Sequence, residues 1–205
     1  MSQREFKVIT KATEGVYKEK GSKFYAFARP VQTRDEAEAV IDQLRKEHHT
    51  AVHVCCGYVA GTDAPEVRAN DDGEPANSAG TPILNQIQAA QLYNTLVAVV
   101  RYYGGTKLGV PGLINAYKTA AQKALANNVY QVLKTVEVFE LKTDYDRLGD
   151  VLRILDKIDA EVTNREYLQD VKLVFSAAKS DQVDVKRLFE HLQLKPPVKL
   201  KEQLK

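Results

Sequence analysis

The sequence predicts an α+β protein made of two units, on three observations. Residues 5–31 alternate apolar and polar side chains about a turn signal, as paired strands do. The run 95–103, "TLVAVVRYY", is continuously apolar and of strand length, and it breaks into the glycine-rich "GGTKLGVPG" before a helical pattern begins. Beyond residue 130 the elements follow in the order β, α, β, β, α with a further strand after Pro196-Pro197, which is a ferredoxin-like arrangement. At 205 residues the chain is long enough for two cores. The expected boundary separates residues 1–130 from 131–205.

In the first unit, strands are expected at roughly 5–18 and 23–31 around Glu19-Lys20-Gly21-Ser22. Thr33-Arg34-Asp35-Glu36 reads as a capping box, and Ala37, Val40, Ile41 and Leu44 follow at helical spacing, so a helix spans 34–47. "AVHVCCGYVA" (51–60) is β-branched, short and closed by Gly61, which predicts a buried strand and then a polar connection through Asp72. Pro82 suits the first position of a helix capped by Thr81, with Ile83, Leu84, Ile87 and Ala90 on its apolar stripe. After the glycine-rich loop, Leu113, Ala116, Tyr117, Ala120 and Ala124 share one helix face, with Asn115, Lys118 and Gln122 opposite.

The second unit reads as a strand (131–143), a helix bearing Leu148, Val151, Leu152 and Leu155, two strands (161–168 and 171–178), and a helix bearing Val185, Leu188, Phe189 and Leu192.

Composition narrows the function classes. Apolar residues at 44% and charged residues at 27% describe an ordinary globular chain. No apolar run approaches the roughly 20 residues of a membrane span, and "MSQREFKVIT" lacks a signal core, so the expected location is the cytosol, away from membranes. The only cysteines, Cys55 and Cys56, are adjacent and form no spaced disulfide framework. Net charge is +2, so any nucleic-acid surface must be a local patch.

Two loops carry candidate chemistry. Arg101, Tyr102, Tyr103, Gly104, Gly105 and Lys107 lead into a helix that also bears Lys118. Tight glycine turns, a helix start, cations and aromatic rings together suit an anion or nucleic acid. The spacing matches neither a P-loop nor a dinucleotide fingerprint, and a glycine turn serving sheet–helix packing is the competing reading. In "NDDGEPANSAGTPIL", Asp71, Asp72 and Glu74 offer carboxylates for magnesium. The competing reading has Asp71 or Asp72 capping backbone N–H groups in a turn completed by Gly73 and Pro75. His53 and Cys55 would share one side of their strand, and packing explains them better than zinc, whose motif spacing is absent.

"GSKF" (21–24), "AVH" (51–53), "DDGEPANSAGTPIL" and "RYYGGTKLGVPGLINAY", in that order over about 100 residues, resemble the YigZ/IMPACT family, and the C-terminal half resembles the extra ferredoxin-like domain of its bacterial members. The resemblance implies an N-terminal β-rich α+β domain like the fourth domain of the translocating elongation factor. It also implies binding to nucleic acid or translation machinery and regulation of translation, with no established chemistry and no cofactor. Asn77-Ser78, Pro111 and Asn115 depart from residues that many members carry; Pro111 removes one N–H and Asn115 one cation from the helix start.

The leading expectation is therefore a non-catalytic translation regulator that binds RNA or ribosome-associated proteins through the glycine-rich basic loop. The alternatives are a magnesium-dependent enzyme acting on a nucleotide or phosphoester, and a protein-binding adaptor. The oligomeric state has no signal in the sequence.

Overall fold

A computed structural model describes residues 5–62, 64–179, 184–191 and 194–204. The chain divides into two compact units, residues 6–132 and residues 133–205 together with 1–5.

The first unit contains β1 (Glu5–Ile9), β2 (Thr13–Glu19), β3 (Ser22–Pro30), α1 (Arg34–Glu47), β4 (His53–Ala60), β5 (Glu66–Asn70), α2 (Gly80–Ala89), β6 (Leu92–Tyr93), β7 (Thr95–Tyr102) and α3 (Gly109–Ala126). Its antiparallel sheet runs in the order β2-β3-β7-β4-β5. β2 and β3 meet through Lys20 (φ 45°) and Gly21 (φ 81°), the two left-handed residues that a tight hairpin turn requires. The expected single strand 5–18 is divided: the chain leaves one sheet after Ile9, and β1 pairs in parallel with β6 instead.

Strand parity sorts the side chains. Phe24, Ala26 and Ala28 of β3, Cys55 of β4 and Val97 and Val99 of β7 face α2 and α3. Phe27, Val54, Cys56, Leu96, Ala98 and Val100 face α1. Gly15 is where α3 touches the sheet: a Cβ there would stand 2.4 Å from Ala124 N. The alanines of α3 serve this close approach, since Ala116, Ala120, Ala121 and Ala124 are fully covered.

The capping box of α1 forms with a shift of one residue. Thr33 Oγ1 accepts from Glu36 N at 3.2 Å, while Glu36 Oε2 accepts from Gln32 N at 2.7 Å rather than from Thr33 N. β5 was expected as mere connection. It is an edge strand whose five residues "EVRAN" bury none of their side chains, so its sequence has no apolar rhythm to read.

The second unit contains β8 (Tyr130–Thr143), α4 (Leu148–Lys157), β9 (Glu161–Tyr167), β10 (Val171–Ala178), α5 (Val185–His191) and β11 (Val198–Leu204). Its strands pair antiparallel in the order β11-β8-β10-β9, the ferredoxin-like order, and Phe139, Leu141, Leu173 and Phe175 pack under Val151, Ile154, Leu155 and Phe189. Leu192, expected on the last helix, lies outside the described residues, as do residues 1–4. Among the described residues no helix is long and apolar enough to cross a membrane.

Candidate functional site

The acidic loop works first as a cap. Asp71 Oδ2 accepts from Asn77 N at 2.8 Å, and its Oδ1 accepts from Ala79 N at 3.0 Å and Gly80 N at 2.8 Å. These N–H groups stand at the start of α2, whose own N-cap residue, Ala79, supplies no side-chain acceptor. The expected cap Thr81 lies inside the helix, and its hydroxyl donates to Asn77 Oδ1 instead. Gly80 is required here because a Cβ would come within 2.5 Å of Asn70 N.

Asp72, at φ 44°, turns the other way. Its Oδ2 accepts from Val54 N at 2.7 Å and its Oδ1 from Arg45 at 2.6 Å, tying the loop to β4 and α1. Gly73, at φ 87°, completes the turn that sends Glu74 inward. Among the described residues no group of three or more histidine, cysteine, aspartate or glutamate side chains is arranged to hold a metal ion.

Glu74 is the centre of a buried polar cluster. It is 9% exposed, and its Oε1 accepts from Arg101 Nη1 at 2.6 Å and from Tyr117 Oη at 2.6 Å. His53 Nε2 stands 3.9 Å from the same oxygen, and His53 Nδ1 meets the Asp72 carbonyl at 2.7 Å. Cys55 Sγ lies 3.4 Å from Tyr117 Oη and 3.0 Å from the Asp71 carbonyl. Register brings these groups together: His53 and Phe24 flank Arg101 on the strands either side, and α3 lowers Tyr117 onto Phe24 edge to face. Burial pushes the Tyr117 hydroxyl and the Cys55 thiol upward, so both stay protonated as donors.

Arg101 was expected to face a phosphate together with Lys107. It is 6% exposed and held by Glu74, because its place in β7 points it at the covered α3 face, where an unpaired guanidinium would be costly. Its role is to hold the acidic loop against the sheet. Tyr102 points to the opposite face, where its hydroxyl meets His48 Nδ1 at 2.9 Å.

The glycine-rich loop leans on the first hairpin. A Cβ on Gly104 would lie 1.9 Å from Gly21 C, and Gly104 N donates to Ser22 Oγ at 3.1 Å. Gly105 turns at φ 89° in open space. Tyr103 is 49% exposed, and Lys107 and Lys118 are exposed without an ion pair among the described residues. The helix that follows has no acidic residue in its first turn and no side-chain cap.

In the sequence pattern Tyr117 and Cys55 stand as packing residues. One signal was available for Tyr117: a tyrosine in the middle of an apolar stripe needs a partner for its hydroxyl. The cluster's other members lie in the two candidate loops and in the strand 51–60.

The arrangement is that of an α+β domain in which a carboxylate-anchored loop and a glycine loop close over one end of an antiparallel sheet. A family model described as the Impact N-terminal domain matches residues 20–125, which span both loops. The chain belongs to the IMPACT family. It is 34% identical over 157 residues to an IMPACT family member of Haemophilus influenzae, covering 76% of each chain. It is 33% identical over 150 residues to IMPACT family member YigZ of Escherichia coli, covering 72% of this chain and 74% of that one. A crystal structure described as that of a hypothetical protein matches with a TM-score of 0.66 at 27% identity, covering 100% of this chain and 97% of the other.

Proposed function

We propose that the protein is a non-catalytic regulator of translation that binds RNA of the translation machinery in the cytosol through the surface where its two glycine turns meet. Family resemblance supports the translational role. One structural observation carries the binding surface: Gly104 packs against Gly21, which brings the turn bearing Lys20 and Lys23 against the loop bearing Tyr103 and Lys107. These lysines are exposed, and none has an ion pair among the described residues. Phosphate binding needs such uncommitted cations, and an exposed ring adds stacking that tolerates any base.

The buried cluster has a supporting role in this reading. Glu74, Arg101 and Tyr117 fix the acidic loop and the end of β7, from which the glycine loop departs. Both oxygens of Asp71 and Asp72 and one of Glu74 accept from backbone N–H groups, Arg45, Arg101 and Tyr117, which favours the structural reading of the acidic loop over a magnesium site.

The test is a salt titration of RNA binding. Lys107→Ala should weaken binding to all sequences alike and reduce the magnitude of the log K against log salt slope by about 0.7 to 0.9. A folded Lys107→Ala variant with the parent's affinity and slope removes the glycine loop from the binding surface.

A further inference from the structure

The end of the sheet that carries the glycine loop has a second side. On the face that carries α1, a cleft of about 500 Å³ is lined by Gly21, Lys23, Tyr25, His48 and Tyr102, with Tyr103 at its edge. Helix α1 ends at Glu47 and leaves this corner of the face open, with His48 as its C-cap at the rim.

The cleft is built from ordered rings. Tyr25 meets Tyr102 edge to face at 5.8 Å between centroids and lies near parallel to His48 at 6.4 Å. The Tyr102 hydroxyl is fixed on His48 Nδ1, so its ring is held in place by a bond at its far end. Tyr103 stands half exposed at the edge of the cleft, between it and the Arg101 guanidinium, which is 5.6 Å from its ring centre.

Among the lining residues Lys23 carries a fixed charge, and a second cation stands beside it. Lys18 and Lys23 are directly opposite in the β2–β3 register, and Lys23 is in turn opposite Tyr102, so all three side chains share this face. Like charges directly opposite on two strands destabilise the pair. Neither lysine has an ion pair among the described residues, and the carboxylate next in sequence, Glu19, is on the other face taking the Tyr17 hydroxyl at 2.8 Å. Two uncompensated ammonium groups beside an aromatic slot match a ligand with a flat ring and an adjoining anion.

The geometry points to this cleft as a subsite for one unpaired nucleobase of single-stranded RNA, stacked within the tyrosine–histidine walls, with Lys18 and Lys23 on the neighbouring phosphates. It rests on the reading that the protein binds RNA, and it adds a strand specificity that the glycine loop alone does not carry. A duplex keeps its bases stacked on each other and cannot fill the slot, whereas an unpaired base presents both faces. An acidic peptide would use the lysines but leave the rings idle.

The experiment measures fluorescence anisotropy of a labelled ten-nucleotide single-stranded RNA and of a duplex of the same length, against the full chain over a salt series. The parent should prefer the single strand. Tyr103→Ala should lose about tenfold in single-strand affinity with its salt slope kept, and Tyr103→Phe should bind as the parent does. The Lys18→Ala/Lys23→Ala double variant should reduce the magnitude of the slope by about 1.4, from two phosphates on a single strand. All three sites are exposed, so the variants should melt with the parent, and a 2-aminopurine in the RNA should be quenched by the parent more than by Tyr103→Ala. If RNA binding depends on Lys107 and Lys20 but is indifferent to Lys18, Lys23 and Tyr103, the cleft is not the subsite and the broader RNA reading is confined to the Lys20 and Lys107 side of the two turns. Equal affinity for duplex and single strand, equally lowered by Tyr103→Ala, overturns base stacking. No binding of either RNA by the parent ends both readings.

Discussion

Arg101 Nη1 stands 2.6 Å from Glu74 Oε1, with both side chains less than a tenth exposed. The pair joins the last residues of β7 to a loop 27 residues earlier. Burying two charges is expensive, and the arrangement holds because Tyr117 supplies a further donor to the same carboxylate oxygen. Breaking the pair on one side is the costly change. Glu74→Ala leaves the Arg101 guanidinium buried and unpaired, for which a loss of about 3–5 kcal/mol is expected in urea unfolding. Arg101→Met combined with Glu74→Ala should recover part of that loss, giving a positive coupling in a double-mutant cycle. A Glu74→Ala variant less than about 1 kcal/mol below the parent would show that the pair is not what holds the loop.

The two adjacent aspartates separate in their costs. Asp71 accepts three backbone N–H groups, whereas Asp72 accepts one N–H and one guanidinium whose side chain is partly exposed. Asp71→Ala should therefore cost about 2–3 kcal/mol and Asp72→Ala about 1–2 kcal/mol, at roughly 1 kcal/mol for each lost cap or hydrogen bond. Magnesium at about ten times a millimolar Kd would raise the parent's stability by about 1.4 kcal/mol if the loop held the ion. Such a rise in the parent, absent in an Asp71→Ala variant that otherwise melts normally, would restore the metal reading.

Gly104 and Gly105 are neighbours with different reasons to be glycine. A Cβ on Gly104 would collide with the Gly21 backbone at 1.9 Å, so Gly104→Ala must part the two turns. At Gly105 the space is open and only φ 89° resists a side chain, at about 1–2 kcal/mol. Thermal melting should show Gly104→Ala as the more damaging of the two, and hydrogen exchange should show faster opening at Gly104 N, which is bonded to Ser22 Oγ. Equal losses in the two variants would mean that the turns are not packed as described.

What the sequence disclosed follows from how local each cause is. Helix α1 was readable to its ends because Thr33 and Glu36 act within four residues and the apolar positions repeat at helical spacing. The ferredoxin-like unit was readable because a strand such as β10 buries one side, leaving an alternating pattern. β5 was hidden because an exposed edge strand needs no apolar face. In the site, the motifs and their charged residues stood out, while the choice among long-range partners is set by the fold: Asp71 caps a helix from eight and nine residues away, and Glu74 meets Arg101 and Tyr117 over 27 and 43 residues. Only the register of β7 between β3 and β4 decides that Arg101 turns inward and Tyr102 outward.

The adjacent thiols give a pH dependence whose sign is fixed by their burial. Cys55 faces α3 and Cys56 faces α1, yet burial pushes both thiols up, Cys56 to about 12, with Arg45 opposing the rise at Cys56. An unfolded thiol releases its proton near 8.5. Below about 8.5 both states are protonated and the thiols add no slope; above it the unfolded chain releases protons that the folded chain retains, so stability falls as pH rises toward the folded values. Each thiol contributes at most about 1.4 kcal/mol per pH unit in that window. Urea midpoints measured between about pH 7.5 and 9.5 should therefore fall at the upper end, and Cys56→Ala, whatever its cost at pH 7.5, should flatten the fall. The same burial predicts that a disulfide reagent labels both cysteines slowly in the native protein at pH 8 and at once in urea. Fast native labelling of either thiol, or a slope that Cys56→Ala leaves unchanged, would show that the sheet end opens far more readily than its packing implies.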